Sequence, residues 1–562
     1  MLKENFVEMI HESIKSHWDL PAFTDYEGES LSYGGTAEKI VWLHHIFQKS
    51  GIKRGDKIAL IGKNSTTWAI TYLATVTYGA VIVPVLPDFH VDDFHHIVNH
   101  SESVLLFAAD SVYEKMEEAK MPELEGIFSL TDFKLLYSKK KILPKVVQKA
   151  DELFLEVYNG TLTKENLKFD KTGNEELAGI LYTSGTSGFS KGAMLPHNSL
   201  AANVRFARNN IPLKAEDTIL SFLPMAHCFG CAFDFLFPFC VGCQITFLGK
   251  IPSPKILIQA LGQVRPRLIL SVPLLIEKIY KSRLKPKMDK GVVKVLTKLP
   301  VLKGKIYHKV RQALIDVFGG NFIEIVIGGA ALNAEVETFL RKIDFPFTIG
   351  YGMTECGPLI SYIPWPNNKP AAVGKLMDTL EIRIDTSVTD TGGGAGEIQV
   401  RGENVMNGYY KNEDATKAAI DKNGWLHTGD MGVIDDDGFI YIKGRYKDML
   451  LGPSGQNIYP EEIEAKLNNM PFVGESLVVE KDKKLVALVY PDVDAVDEAG
   501  LDQQALQTKM EENRVTLNEQ ISVYSRITRV ELYPEEFEKT PTKKIKRFLY
   551  TIPMENEKEG SA

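Results

Sequence analysis

The chain has 562 residues, too many for one ordinary domain, and its length alone suggests roughly three or four units. With 44% apolar and 25% charged residues it has the make-up of a globular protein, and a net charge of −8 gives no electrostatic reason to expect nucleic acid. Met1–Trp18 carries acidic residues and histidines throughout, unlike a secretory leader, so a cytoplasmic location is expected.

The first unit reads as α/β. Lys57–Gly62 (KIALIG) is a short apolar strand, Ser65–Tyr78 a helix capped by Asn64 or Ser65, and Ala80–Val85 a second strand. Strand, helix, strand with short links predicts a parallel pair joined by a right-handed crossover. Val104–Ala108 is a further strand. Residues Tyr137–Glu176 are charged and irregular and are expected to form a surface excursion.

The most informative stretch is Tyr182–Gly192, YTSGTSGFSKG. Glycine permits positive φ and close backbone approach, so consecutive N–H groups and hydroxyls can wrap a phosphate while Lys191 supplies charge. Apolar Leu177–Leu181, broken only by Gly179, enters the loop and Ala193-Met194-Leu195 leaves it, which clamps it between buried strands. It is not a Walker A loop, because Phe189 and Ser190 separate Lys191 from Gly188.

Cys228/Cys231 and Cys240/Cys243 form two CxxC pairs with nearly all-apolar residues between them, closer together than zinc-ribbon spacing. They read as thiols lining a core or apolar pocket. Leu223–Gly249 is not read as a membrane span, because His227, Asp234, glycines and a proline interrupt it. Leu268–Val272 and Phe322–Ile327 are strand-like runs. Between them, Lys278–Arg311 carries twelve Lys or Arg against the single acid Asp289, a net +11. Leu and Val interleave these cations, which suits either a solvated helical face or an amphipathic surface drawn to anionic headgroups.

Gly350–Glu355 reads GYGMTE, pairing an aromatic that can stack on a purine with a carboxylate that can hold Mg²⁺ on phosphate. Gly392-Gly393-Gly394 marks a tight turn before Gly396–Gly402, whose alternation suggests a half-exposed antiparallel strand. Gly424–Asp430 reads GWLHTGD, ending on a carboxylate suited to ribose hydroxyls. Composition shifts near Gly444, where Gly444-Arg445-Tyr446-Lys447-Asp448 sets two cations. Beyond lie a helix (Pro460–Asn469), a hairpin (Ser476–Tyr490, turning at Lys481–Lys484) and the basic run Lys539–Arg547, KTPTKKIKR.

Singly these segments have plain explanations. Together and in this order the five closely resemble the adenylate-forming (AMP-binding) superfamily, which includes acyl-CoA synthetases, firefly luciferase and peptide-synthetase adenylation domains, and most of all its bacterial fatty-acyl-CoA synthetases. The matches run from Tyr182 to Arg547 and the upstream α/β segment fits the same architecture. The resemblance implies an α/β fold with a large multi-subdomain N-terminal domain (1–443) that binds ATP and the acyl group, and a small mobile α+β domain (444–562) carrying the catalytic lysine. It implies that Thr183, Ser184, Gly185, Thr186, Ser187, Gly188 and Lys191 grip ATP phosphates. Gly350, Tyr351, Gly352, Met353 and Thr354 would pass the nucleotide, with Gly328-Gly329-Ala330 as the adenine-side turn. Asp430 and Arg445 would hold the ribose, and Lys447 would be the hinge. Thr183 and Glu355 would hold Mg²⁺, and Lys544 would be the catalytic lysine.

The sequence departs from the family pattern at Phe189-Ser190, at Leu451 and at Lys543, where the family usually has glycine. Spacing after Pro541 and before Ile545 favours Lys544 over Lys543. Leu223–Gly230 resembles the family segment bordering the acyl pocket, which would put His227 at its gate, though a histidine here could equally be a hydrogen-bonded core residue; Phe229, Phe233, Phe235, Phe237 and Phe239 form an apolar stretch beside it. The expected activity is ATP-dependent ligation of a medium- or long-chain fatty acid to CoA through acyl-AMP. A carrier-protein acceptor, an aryl acid and a catalytically silent nucleotide binder stand as alternatives, and Lys278–Arg311 is the expected contact with an inner membrane face.

Overall fold

The computed structural model describes residues 1–158, 160–183, 191–250, 253–289, 296, 299–388, 394–451, 457–482, 484–540 and 544–551. The crossover predicted upstream is present. Lys57–Ile61 pairs in parallel with Val81–Val85, and the helix Thr66–Tyr78 between them starts at Ser65, whose side chain accepts from Trp68 N–H. Asn64 is not the cap. Its buried amide bonds Ser221 Oγ and the Leu223 carbonyl, joining this unit to the next.

These strands belong to a seven-stranded sheet ordered Leu135–Ser138, Gly126–Ser129, Ser103–Ala108, Lys57–Ile61, Val81–Val85, Leu177–Thr183, Lys191–Pro196, parallel in the middle and antiparallel at both ends. A second seven-stranded sheet runs Phe347–Ile349, Glu324–Ile327, Leu268–Ser271, Thr218–Ser221, Gln244–Phe247, Pro21–Asp25, Ser30–Ser32. Strands covered on both faces are apolar through their buried length, as Val81–Val85 and Leu268–Leu270 show. A four-stranded antiparallel sheet follows (Leu380–Asp385, Gly396–Gly402, Leu426–Ile434, Ile440–Arg445). The last sheet pairs Val473–Lys481 antiparallel with Lys484–Pro491, which runs parallel to Arg529–Leu532. Among the described residues, the hydrophobic clusters before Ile442 and those after Leu450 share no side chain.

Three expectations need correction. Residues 137–176 are not an irregular excursion: Leu143–Gln148 and Ala150–Val157 are helices, and Leu143, Ala150, Leu162 and Leu167 are buried. Their charged residues cover a segment whose sparse apolar positions still reach the core. Gly396–Gly402 is antiparallel but buried rather than half-exposed through Val400, because its polar Glu397 and Gln399 bond each other and His427. The five phenylalanines also divide. Phe235, Phe237 and Phe239 are 0% exposed, with Phe239 stacked on Phe23 at 5.2 Å and on Tyr33 at 4.8 Å. Phe235 meets Tyr72 edge-on at 5.6 Å. A segment apolar all round buries all its faces, so these three rings build the core instead of a pocket.

The five cysteines are free, buried thiols, and burial pushes those of Cys228, Cys231 and Cys240 up to about 12. No helix among the described residues is long and apolar enough to cross a membrane.

Burial also lowers His44, His197 and His227 from the ordinary 6.5 to about 4. Between pH 4 and 6.5 the unfolded chain therefore takes up protons that the folded chain refuses. Their stabilising contribution is complete above pH 6.5 and is lost as pH falls toward 4. Neither ring nitrogen of His197 has a hydrogen-bond partner. We predict that His197→Leu narrows the drop in Tm between pH 7 and pH 5, measured by calorimetry; an unchanged drop would show that His197 takes up its proton equally in the folded and unfolded chain.

Candidate active site

The site is assembled at the edge of the first sheet. Leu177–Thr183 and Lys191–Pro196 form the antiparallel stem of the glycine-rich loop, with Thr183 opposite Lys191. Thr183 Oγ1 donates to the Lys191 carbonyl at 3.3 Å. Ser184, Gly185, Thr186, Ser187 and Gly188 lie outside the described residues. The free edge of the second stem strand is taken up by residues 407–410: Asn407 N donates to Met194 O at 2.8 Å, Met194 N to Gly408 O at 2.9 Å, and Tyr410 N to Gly192 O at 2.8 Å. This places the Tyr409 ring 5.2 Å from Lys191 Nζ.

Tyr409 also joins the stem to GYGMTE, because its hydroxyl donates to Glu355 Oε1 at 2.7 Å and Met406 N donates to Glu355 O at 2.9 Å. Glu355 sits in a single 3₁₀ turn, Thr354–Cys356, and is 9% exposed. The turn is fixed from below by Asn203, which donates to Cys356 O and accepts from Leu359 N at 3.0 Å. A Cβ on Gly352 would lie 2.2 Å from Pro358 O, so no other residue fits that approach. Sequence reading missed Tyr409 and Asn203; the only signal for the tyrosine was the aromatic pair in Asn407-Gly408-Tyr409-Tyr410.

A second cluster centres on Asp430, 6% exposed. Asp430 and Arg445 are directly opposite across neighbouring strands, and Arg445 Nε lies 2.7 Å from Asp430 Oδ1. Tyr351 Oη donates to Asp430 Oδ2 at 2.6 Å. Burial and the Asp430 charge hold the Tyr351 phenol well above its ordinary value, and Asp430 raises Arg445. Gly329, at φ 87°, and Ala330 form an exposed turn after the strand Glu324–Ile327.

Lys544 arrives from the opposite end of the chain. Much of the residue stays accessible, yet desolvation and then the charge of Arg445 lower its ammonium pKa, while Asp430 and Glu355 oppose that shift. The Lys544 charge also reaches His227, whose neutral state at pH 7 is set mainly by burial. Lys543 lies outside the described residues. His227 Nδ1 accepts from Phe229 N at 3.3 Å, and Cys228 Sγ lies 3.5 Å from Thr354 Oγ1, so the histidine segment abuts GYGMTE. Phe229 faces Gly328, where an added Cβ would come within 3.1 Å of its ring. Lys447 occupies the one-turn helix Tyr446–Asp448, directly after the strand that carries Arg445.

The arrangement thus sets three cations (Lys191, Arg445, Lys544) around two carboxylates, with aromatic and glycine surfaces between, which suits a nucleotide polyphosphate. Residues 10–410 match the AMP-binding enzyme family. The chain belongs to that family. Its members form adenylates, and the mixed α/β architecture with a smaller C-terminal sheet domain agrees with those of solved adenylate-forming enzymes. It is 28% identical over 474 residues to a long-chain-fatty-acid–CoA ligase of Mycobacterium bovis, covering 80% of this chain and 75% of the relative. A long-chain-fatty-acid–CoA ligase of Rattus norvegicus is 25% identical over 86% of this chain and 76% of its own length. In fold it resembles ATP-bound MatB from Rhodopseudomonas palustris, with a TM-score of 0.75 at 22% identity over 97% of this chain and 98% of the other.

In Asp430→Ala, Arg445 and the Tyr351 hydroxyl lose their shared acceptor. We predict a rise in the KM for ATP of about tenfold or more, the range of hydrogen bonds to a charged group. Pyrophosphate-release kinetics measure it; an unchanged KM would remove Asp430 from the nucleotide site.

Proposed function

We propose that the chain activates a medium- or long-chain fatty acid with ATP and passes the acyl group to CoA. The observation that carries the reading is the paired arrangement in which Glu355 is bonded by Tyr409, whose ring meets Lys191, and Asp430 is bonded by Arg445 and Tyr351. A carboxylate is a poor acyl donor because its leaving group is oxide. Its oxygen attacks the α-phosphorus of ATP, the bond to the β-phosphate oxygen breaks, and pyrophosphate departs, leaving acyl-AMP. The CoA sulfur then attacks the acyl carbon, its proton passes to solvent, and AMP leaves.

The first step brings two anions together, so fixed cations where charge develops are the main requirement. In this reading Lys191 and the loop hold the β- and γ-phosphates, Lys544 faces the attacked phosphate, and Asp430 with Arg445 holds the ribose. The oxygen donors Thr183 and Glu355 fit Mg²⁺, which takes one or two protein oxygens and is otherwise held by phosphates and water. Bound there, it would neutralise phosphate charge. His227 and Phe229 stand at the acyl side. Fatty acid as substrate and CoA as acceptor are supported by the named activities of the curated relatives.

The separate cores on either side of residues 442–450 support a division near Gly444, with residues 444–562 as a lid that turns about Lys447 between the half-reactions. The strand Ile440–Arg445 crosses that position and pairs Arg445 with Asp430, which ties the first residues of the lid to the large side ahead of the turning point at Lys447.

Membrane contact through Lys278–Arg311 belongs to the same reading. Lys281, Lys285 and Arg311 are engaged by Asn468, Glu335 and Asp344, whereas Lys303, Lys305 and Lys309 stand exposed on the helix Pro300–Val317 beside exposed Leu299. Changing those three exposed lysines to Gln should weaken binding to anionic vesicles about tenfold or more at low salt, with neutral vesicles unaffected. Unchanged sedimentation would return this helix to an ordinary solvated face.

The central test is Lys544→Ala, with pyrophosphate release measured across fatty and aryl acids and thioester formation measured from supplied acyl-adenylate. Loss of about a hundredfold or more is expected in the first half-reaction alone. A variant that adenylates normally would displace Lys544 from its role. Wild-type turnover of aryl acids only would replace the fatty substrate.

A further inference from the structure

The helix Pro460–Leu467 connects the lysine segment to the large unit at both of its ends. Glu464, 8% exposed, accepts from both terminal nitrogens of Arg547, at 2.8 and 2.7 Å, and Arg547 Nη1 also donates to Val478 O at 3.2 Å. Arg547 stands three residues after Lys544, and Thr540 N donates to Lys544 O at 2.7 Å, so the segment that presents Lys544 is fixed to this helix and its sheet.

Just beyond the other end of the helix, Lys281 Nζ donates to Asn468 O at 3.2 Å, and Asn333 Nδ2 donates to Asn469 Oδ1. Both partners are held in place. Asn333 Oδ1 accepts from Glu335 N at 2.9 Å and Val336 N at 3.3 Å, capping the helix Ala334–Lys342, and its own N–H donates to Glu277 Oε1 at 3.0 Å. Asn469 Nδ2 donates back to Ala465 O at 3.0 Å. Asn333 follows Gly329-Ala330 by three residues, so the turn proposed for adenine and the docking point of the small sheet domain lie on one short stretch.

We propose that Asn333 and Asn469, with Lys281 on Asn468, form a latch that holds the small domain in the orientation delivering Lys544 to the site. They are positioning residues for adenylation and do not touch the reacting atoms. The inference rests on the two-step reading above. A lysine carried on a separate domain must be placed to a fraction of an ångström to stabilise developing charge. The latch must also release when the acceptor thiol enters. Two partly exposed hydrogen bonds meet both needs, since each biases an equilibrium by only about fivefold.

Asn333→Ser keeps an N-cap oxygen while removing the amide arm, and Asn469→Ala removes its partner. Each should slow pyrophosphate release about fivefold and leave thioester formation from supplied acyl-adenylate unchanged or faster, and the double variant should match the singles because one bond is lost in all three. Trypsin should cut after Lys447 faster in each variant than in wild type, a readout that needs no substrate. Full adenylation rates with wild-type cleavage, or equal loss in both half-reactions, would overturn the latch. Wild-type protein that releases no pyrophosphate with any acid would sink the proposed function, and the trypsin comparison would still decide the latch. If Asn333→Ser does not fold, Asn469→Ala alone decides it.

Discussion

A carboxylate as buried as Asp430 is tolerated only when its oxygens are satisfied by strong donors. Here one oxygen takes the Arg445 guanidinium and the other the Tyr351 hydroxyl. That requirement ties the distant GYGMTE segment to the adjoining strands that carry GWLHTGD and Arg445. Arg445 borders the small unit, so the same charge pair anchors the start of that unit against the large one.

The second constraint is the balance of charge among crowded groups. Arg445 and Lys544 repel, which contributes to the lowered ammonium pKa, and Asp430 and Glu355 offset part of that repulsion. Glu355 is steadied by Tyr409, whose ring faces Lys191, so each carboxylate is restrained by an aromatic hydroxyl. Such a site is prepared for a polyanion whose arrival relieves repulsion between the cations. Its aromatic and glycine surfaces are tight enough that single Cβ atoms would collide, as at Gly352.

Much of this was readable from local pattern. The strand–helix–strand unit, a helix start at Asn64 or Ser65, the hairpin turning at Lys481–Lys484 and the strands flanking the glycine-rich loop follow from periodicity and turn chemistry. Residues 137–176 were misread because their helices are short and mostly charged, so no periodic stripe stands out. The buried face of Gly396–Gly402 was misread because Glu397 and Gln399 look solvent-facing until His427 supplies their partners. Composition marked the phenylalanine run as apolar but could not say whether it faced a pocket or Phe23, Tyr33 and Tyr72. Tyr409 and Asn203 were invisible as site residues, since each acts through partners more than fifty residues away.

By itself the sequence determined the family, because its motifs each demand particular residue types in a short stretch of chain. Only the tertiary structure decided which groups meet: that Asp430 is divided between Arg445 and Tyr351, that Tyr409 joins Glu355 to Lys191, and that Asn469 rests on Asn333. The physical reason is range. Backbone propensity and phosphate-loop chemistry act over a few residues, whereas the satisfaction of a buried polar group depends on whatever the folded chain brings within about 3 Å of it.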